Sequence, residues 1–362
     1  MKKIVIVGGG NVGTQLAVHC AKKGHDVMIY TPRYKEFKEI LTIVDDRGQI
    51  IGQGRINKAT DDAREAFEEA DIIFVTVPAN CMEAAANKMM PFISSKTMIG
   101  IIPGIGGSEF IFSTCKDKGA CVFGLQRVPS VARLVTYGQS VCATGYRQEL
   151  HLAAVNGGDT DICCEVVSDL LERPCVALPN YLNILLTPSN PILHPTRLFV
   201  LFSEYRQGVA YCRNPFFYKE WEDRSSDLLL ACDEEIQRIC KRLKEFDLSY
   251  VKSLKSHYEV ADKSALTDKL RSIKSLARVQ APVKKLDNKY IPDFSSRYFI
   301  SDFPFGLAIL IQIAEFVDLE VPNMHKVYDW FKGLGLGFDE FAFVKYNINS
   351  YEDFKAFYKG VR

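Results

Sequence analysis

No run of apolar residues in this 362-residue sequence reaches the roughly 20 that a membrane-spanning helix needs. The opening run, Ile4 to Val7, is also too short for the core of a secretory signal. A dominant charge is missing: 45 Lys and Arg stand against 44 Asp and Glu, a formal net charge of +1. That balance gives no long-range pull toward nucleic acid or anionic lipid. Regular cysteine spacing is missing as well. The 11 cysteines include no Cys-x-x-Cys, and the nearest two, Cys163 and Cys164, are adjacent. Neither a zinc site nor a secreted disulfide framework is indicated. Internal repeats and low-complexity tracts are absent. The expectation is a cytoplasmic protein with free thiols and no metal, nucleic acid or membrane partner.

What is present is an ordinary globular composition, 47% hydrophobic and 25% charged. The length exceeds what one core usually serves, so two domains are expected. Ile4 to Val7 reads as a strand buried on both faces of a parallel sheet. Gly8-Gly9-Gly10-Asn11-Val12-Gly13 follows at once and fits G-x-G-x-x-G, with Gly8, Gly10 and Gly13 in the required places. Thr14 to Lys23 reads as a helix and Asp26 to Tyr30 as a second strand. In that setting Gly8 permits a tight turn and Gly10 a close approach of a pyrophosphate. Gly13 permits close packing of helix on strand, and the helix N-terminus offers amide N–H groups to the phosphate. This implies a Rossmann dinucleotide-binding domain, with contacts at Gly8, Gly10, Asn11, Val12 and Gly13.

NAD usually requires Asp or Glu at the end of the second strand. The sequence has Tyr30-Thr31-Pro32-Arg33 there. Arg33 either pairs with a 2′-phosphate or is a solvated charge at a helix start. Thr31 and Arg33 are therefore cofactor candidates, with NADP(H) favoured and NAD(H) the alternative. Asp71 to Val77 reads as another buried strand, placing Val77, Pro78 and Ala79 beside the cofactor. A helix over Cys81 to Met90 and a strand over Thr97 to Ile102 follow. Pro103-Gly104-Ile105-Gly106-Gly107 is then either site wall or structural turn. Short strands over Val122 to Leu125, Ser140 to Thr144 and Cys175 to Leu178, and a helix over Asp161 to Leu171, complete the domain at about residue 186.

Beyond Leu186 helical periodicity takes over. From Asp227 to Phe246 apolar residues recur at gaps of three and four. Leu307 to Val317 and Val327 to Phe331 also read as helical. The fold expectation is α/β plus all-α: a doubly wound parallel sheet over 1–186 and a helical substrate and catalytic domain over 187–362. The basic stretch Lys252 to Lys289 reads as solvated helix faces or as a positive rim for carboxylate substrates.

A nicotinamide dehydrogenase needs a proton donor near the reacting carbon, usually histidine. Among six histidines, His194 stands out, in Ser189-Asn190-Pro191-Ile192-Leu193-His194-Pro195 at the passage between the domains. A second constellation, Arg297-Tyr298-Phe299-Ile300-Ser301-Asp302, precedes a helix. Asp302 either caps that helix or orients His194. Arg297 either pairs at the surface or holds a substrate carboxylate bidentately.

Taken together, GGGNVG, VPAN, RVPSVARLVTYGQSV (127–141), SNPILHPTRLF (189–199), FFYKEWEDRSSDLL (216–229) and YIPDFSSRYFISDFPFGL (290–307) resemble the octopine/nopaline (opine) dehydrogenase family. NPxxHP and RYxxxDxPxGL are the specific parts. The resemblance implies reductive condensation of an amino acid amine with a 2-oxo acid such as pyruvate, using NAD(P)H. It implies His194 as acid/base, Asp302 as its support, Arg297 as carboxylate holder and Asn190 as substrate-orienting. The segment SEYRQGVAYCRNP (203–215) departs from the family's acidic or glycine-rich pattern and bears on the amino-acid pocket. Two readings compete: a 2-oxo-acid reductase similar to ketopantoate reductase, whose usual lysine has no comparable motif here, and a non-catalytic NADP-binding sensor. The partners implied are small molecules, and a homodimer is the default assembly.

Overall fold

The computed structural model describes residues 1–157 and 159–360. The chain divides into two compact units. One spans Met1–Leu185 and takes back the C-terminal residues from Lys355; the other spans Leu186–Phe354. The return of the C-terminus differs from the expected single boundary near residue 186. It arises because Phe357 and Tyr358 pack on Phe110, tilted and edge-on, with ring centroids 4.4 and 5.8 Å apart.

The first unit is built on an eight-stranded sheet. Its spatial order is Cys175–Ala177, Leu150–Ala154, Cys121–Leu125, Met98–Ile101, Ile72–Val75, Lys3–Val7, Asp26–Tyr30 and Lys58–Thr60. Neighbouring strands run parallel except Cys121–Leu125 against Leu150–Ala154. The first strand lies between Asp26–Tyr30 and Ile72–Val75, with Ile4 opposite Val27 and Ile72. Ile4, Val5 and Ile6 are fully buried, which is why this strand reads as an unbroken β-branched run.

Helix Asn11–Lys22 is buried on almost every side, from Gly13 through Val18 and at Cys20. A helix packed all round needs a cover on its outer face. A second sheet, which the sequence did not announce, lines up as Ile50–Arg55, Ile40–Val44, Ser140–Thr144 and Val131–Thr136. Its glycines permit the approach: a Cβ on Gly54 would lie 2.8 Å from Ala21 Cβ and 2.9 Å from the Val18 carbonyl. Of these strands only Ser140–Thr144 is visible as a strand pattern; Ile50–Arg55 is glycine-rich and mostly exposed.

The second unit is mainly helical, with Asn190–Phe202, Asp223–Arg242, Lys263–Ser272, Ala308–Phe316 and Pro322–Gly333 as its longer helices. Buried Glu235 ties two of them together. Its Oε1 accepts from the Asn323 backbone N–H and Oε2 from that of Met324, at 2.8 and 2.9 Å. These are the orphan donors at the start of Pro322–Gly333. One β-hairpin, Val283–Leu286 with Lys289–Pro292, interrupts the expected all-helical character. Its turn is made by Asp287, at φ +52°, and Asn288. The lysines of its strands lie inside the stretch read above as basic helix faces. Lys284 pairs with Asp293, Lys263 with Asp227 and Lys255 with Glu234, so part of that charge is locally compensated.

The expectation that no stretch could span a membrane needs correction. Arg297–Phe316 is one helical run of 20 residues, long and apolar enough by composition to do so. It escapes a count of apolar residues because three short helical elements join end to end across Ser301 and Asp302. The run is mostly buried within the unit and carries an aspartate paired with a histidine, which is the behaviour of a core helix.

Glu109, in the first unit, is fully buried and accepts a 2.6 Å hydrogen bond from the Tyr358 hydroxyl. Burial pushes its carboxyl up to about 7. A carboxyl raised on folding stabilises fully below its unfolded value and loses that contribution as pH rises through the folded one. Buried His19, pushed down to about 4, works in the opposite sense, so a Gln substitution at 109 isolates the carboxyl. Unfolding measured at pH 4.5 and pH 8 should show the native protein losing about 3 kcal/mol relative to Glu109→Gln as pH rises. Parallel curves would mean that Glu109 does not titrate in this range.

Candidate active site

At the first unit's glycine turn, Gly8 has φ +104°, open to glycine at little cost. A Cβ on Gly13 would lie 1.9 Å from the Gly8 carbonyl oxygen, so only glycine lets the helix start this close to the strand. A Cβ on Gly10 would meet nothing within 4 Å. The turn is thus closed where helix meets strand and open where a pyrophosphate would lie, next to the N–H groups of Asn11 and Val12. The Asn11 side chain is turned away, its Oδ1 accepting from the Leu134 N–H at 2.7 Å. Thr76 Oγ1 donates toward the carbonyls of Val7 and Gly8. A Cβ on Gly8 would reach Val77 at 3.0 Å, so Val77 lies against the turn. The residues present fit a dinucleotide.

Thr31 is buried at the end of the second strand, and its hydroxyl accepts from the Arg33 N–H at 3.3 Å. Arg33 is already partnered. Its guanidinium pairs bidentately with Glu36, at 2.7 Å for both bonds, and lies 3.6 Å from the Tyr137 ring centroid. Sequence reading missed Glu36, which lies beyond the strand-end position where an acidic residue is sought. The loop Pro103–Gly107 is packed as a turn: a Cβ on Gly104 would meet the Tyr181 hydroxyl at 2.6 Å.

The second unit brings His194 and Asp302 together. His194 sits in the second turn of Asn190–Phe202, a helix with Pro191 in its first turn and Pro195 inside it. Pro191 is tolerated where no intrahelical donor is needed. Pro195 removes a donor, and the Thr196 hydroxyl reaches back to the Ile192 carbonyl at 2.7 Å. Asp302 leads into a π-helical turn, Phe303–Leu307. That turn can press against the histidine helix because it contains Gly306, where a Cβ would lie 3.0 Å from Pro191 Cβ. The glycine of one motif and the first proline of the other are therefore a single contact.

The result is a 2.7 Å bond between Asp302 Oδ2 and His194 Nδ1, with both residues buried. The other ring nitrogen, Nε2, lies 3.1 Å from the Tyr218 hydroxyl. The Tyr298 ring covers the imidazole at 4.2 Å between centroids and Phe217 meets it edge-on at 5.6 Å. An ionised carboxylate only accepts, so Nδ1 carries the proton in the bond to Asp302 and Nε2 is left for proton exchange. This arrangement can give and take a proton.

Arg297 is exposed, and its guanidinium lies 5.0 Å from the Tyr298 ring centroid. Among the described residues no carboxylate pairs with it. Asn190, half-buried, sits one helical turn before His194 and shares its face. The segment 203–215 contributes Tyr211, Cys212 and Arg213 to a cavity of about 280 Å³ that also involves Val200 and Glu222 and does not include His194.

Tyr218 was overlooked in the sequence because a tyrosine 24 residues from a histidine carries no periodic signal. Its segment is pinned by Arg197, which is fully buried one turn after His194. Arg197 donates to the carbonyls of Phe217 and Glu220 at 3.2 and 2.6 Å and to Ser225 Oγ at 3.2 Å. Burial pushes its guanidinium down to about 10, still charged at neutral pH. Among the described residues no group of His, Cys, Asp or Glu is placed to hold a metal ion.

Comparison with known proteins follows the same division. Residues 177–334 match the family model described as NAD/NADP octopine/nopaline dehydrogenase, alpha-helical domain. Residues 3–114 match that of the NAD-dependent glycerol-3-phosphate dehydrogenase N-terminus. The octopine dehydrogenase of Mizuhopecten yessoensis is 25% identical, covering 91% of this chain and 88% of its own length. Among solved structures, octopine dehydrogenase with NADH and L-arginine superposes with a TM-score of 0.81 at 23% identity, covering 99% of this chain and 98% of that one. A ketopantoate reductase from Ralstonia eutropha shares the fold at a TM-score of 0.59 and 15% identity, over 92% and 98% of the two chains.

The Gly306 contact is directly testable. Gly306→Val inserts a branched side chain against Pro191 and should lower stability by about 1–3 kcal/mol. It should also abolish the low-field proton resonance of the His194–Asp302 bond in NMR spectra. Retention of that resonance would show that the two motifs meet without this glycine.

Proposed function

From its membership of the octopine/nopaline dehydrogenase family, we propose that the chain joins an amino acid amine to a 2-oxo acid such as pyruvate and reduces the imine to a secondary amine. The chain is an NAD(P)-dependent dehydrogenase acting on CH–NH bonds. The observation that carries the finer reading is the buried 2.7 Å bond between His194 and Asp302. It fixes which ring nitrogen exchanges protons.

The roles divide as follows. The turn Gly8–Gly13 holds the pyrophosphate, flanked by Val77-Pro78-Ala79. When bound, the reduced nicotinamide supplies a hydride to the imine carbon. Arg297, without a carboxylate partner of its own, holds the 2-oxo acid's carboxylate, and Asn190 orients the substrate on the His194 face. His194 takes the proton that the incoming ammonium must lose and returns one to the departing hydroxyl. Asp302 holds the imidazole in position and stabilises its charged form. The 11 free thiols support a cytoplasmic setting.

The decisive assay follows reduced-nicotinamide absorbance with a panel of 2-oxo acids, each with and without a panel of amino acids. Oxidation that needs both partners is expected. Oxidation with the oxo acid alone would move the assignment to a simple 2-oxo-acid reductase, and cofactor binding without any oxidation to a sensor. In the active pairing, His194→Ala should cut turnover by roughly 10²–10⁴-fold while leaving cofactor affinity unchanged. Surviving turnover would remove His194 from the acid/base role.

For NADP(H), the form favoured from sequence, Arg33 must exchange Glu36 for the 2′-phosphate. For NAD(H), the Glu36 carboxylate is available to ribose hydroxyls. Both cofactors are therefore read as accepted. Glu36→Gln should raise the NADPH over NADH ratio of kcat/KM by roughly two- to fivefold, the scale of one exposed charge pair. An unchanged ratio would show that this pair does not contact the adenosine ribose.

A further inference from the structure

We propose that the substrate exchanges protons with the Tyr218 hydroxyl, and that His194 acts through it as a proton store. This rests on the condensation reading above and adds a residue to it. The imidazole is closed in on every side that matters. Nδ1 is bound to Asp302 at 2.7 Å and Nε2 to the Tyr218 hydroxyl at 3.1 Å, while Tyr298 and Phe217 flank the ring. His194 is only 2% exposed. A substrate atom that took the proton from Nε2 directly would have to stand where the phenol oxygen stands.

Two arrangements follow from donor and acceptor inventory. With the imidazole neutral, Nδ1–H donates to Asp302 and the Tyr218 O–H donates to Nε2. With the imidazole charged, Nε2–H donates to the Tyr218 oxygen, and the tyrosine's own hydrogen is released to point elsewhere. Protonating His194 thus turns Tyr218 from a cap into a donor aimed away from the ring.

The alternative, that Tyr218 swings aside, conflicts with how it is held. Its ring stacks on Trp221, with centroids 6.1 Å apart and planes 14° apart, and meets Phe217 edge-on at 5.1 Å. Trp221 is fully buried and its indole N–H donates to Ser226 Oγ at 3.0 Å. Arg197 grips the backbone on both sides of Tyr218, at Phe217 and Glu220. Moving the phenol would disturb this assembly, whereas passing a proton moves only hydrogens.

The proton count closes. The amino acid enters as an ammonium and gives one proton through the Tyr218 oxygen to neutral His194. The free amine forms the C–N bond to the oxo carbon, and its proton transfer to the former carbonyl oxygen yields the carbinolamine. His194 then returns its proton through Tyr218 to that hydroxyl. The C–O bond breaks, water leaves, and the nitrogen lone pair makes the C=N bond of an iminium ion. A hydride on carbon gives the secondary amine. His194 and Tyr218 end as they began.

Tyr218→Phe keeps the ring and its packing and removes one oxygen. In the full chain, with the substrate pair identified by the amine-dependence assay, kcat should fall by about 100-fold or more. KM and the cofactor Kd, read by nicotinamide fluorescence, should stay within about threefold. A kcat within threefold of the native enzyme would overturn the relay and return direct proton transfer to His194. Because loss of an oxygen could act through packing, 3,5-difluorotyrosine at 218 provides a second readout. It preserves the hydroxyl and makes it more acidic, so a limb of the pH–rate profile should move, and an unmoved profile with native kcat would overturn the proposal. A native enzyme with no amine requirement would overturn the underlying condensation reading. A native enzyme with that requirement and a fully active Phe variant would overturn the relay alone.

Discussion

Asp302 is a carboxylate placed where water hardly reaches it, and burying such a group in its charged form without partners is costly. The 2.7 Å bond to His194 Nδ1 answers that cost, and much of the second unit is arranged around it. The bond needs two segments separated by 108 residues to touch. Touching needs a position without a side chain, Gly306, against a ring, Pro191. The π-helical turn at Phe303–Leu307 is the local distortion that presents Asp302 at its leading edge, in keeping with the habit of such turns to occur where a side chain must be aimed. The aromatic walls, Phe217 and Tyr298, keep the medium around the pair poor in water, which strengthens the bond once it is made.

Much of this arrangement was legible in the sequence, and the part that was not had a physical reason. Gly8, Gly10 and Gly13 could be read because their roles are backbone roles: a turn, an open face and a close approach leave glycine as the residue that fits. His194 and Asp302 were legible as a pair only through the motifs around them, since no rule of spacing connects residues so far apart. Val77, Pro78 and Ala79 are proposed from the geometry of parallel sheets, where strand ends collect ligands. Tyr218 lies within FFYKEW, where its place beside His194 Nε2 is not legible, because that place depends on which way one hydroxyl points. The strand Ile50–Arg55 was invisible for the opposite reason. Its two glycines and its exposure erase the alternating pattern, and only the buried outer face of helix Asn11–Lys22 explains why a strand lies there.

Arg33 shows how the setting of a residue adds to what its type implies. A guanidinium beyond the second strand can recognise a 2′-phosphate. A guanidinium already gripped along its Nε–Nη2 edge by Glu36 presents that phosphate with a competitor on that edge. Exposed pairs of this kind are worth little, so the exchange is feasible, but it lowers the discrimination that a lone arginine would give.

The segment Asn190–Phe202 gathers several functions onto one helix. Asn190, His194 and Arg197 fall at intervals of four and three residues, so they share a side of the helix. His194 provides the titratable ring. Arg197, one turn on, fixes the backbone that carries Tyr218 to the ring's far nitrogen. The proline at 195 costs a helical hydrogen bond, and the hydroxyl of Thr196 occupies the carbonyl of Ile192 nearby. Read this way, NPILHPTR is more than a histidine in a recognisable frame. It is one stretch of helix that carries the proposed acid/base, the clamp for the segment beyond it and the proline surface on which Gly306 seats Asp302. A substitution at any of these positions would therefore disturb how the His194 ring is held between Asp302 and Tyr218.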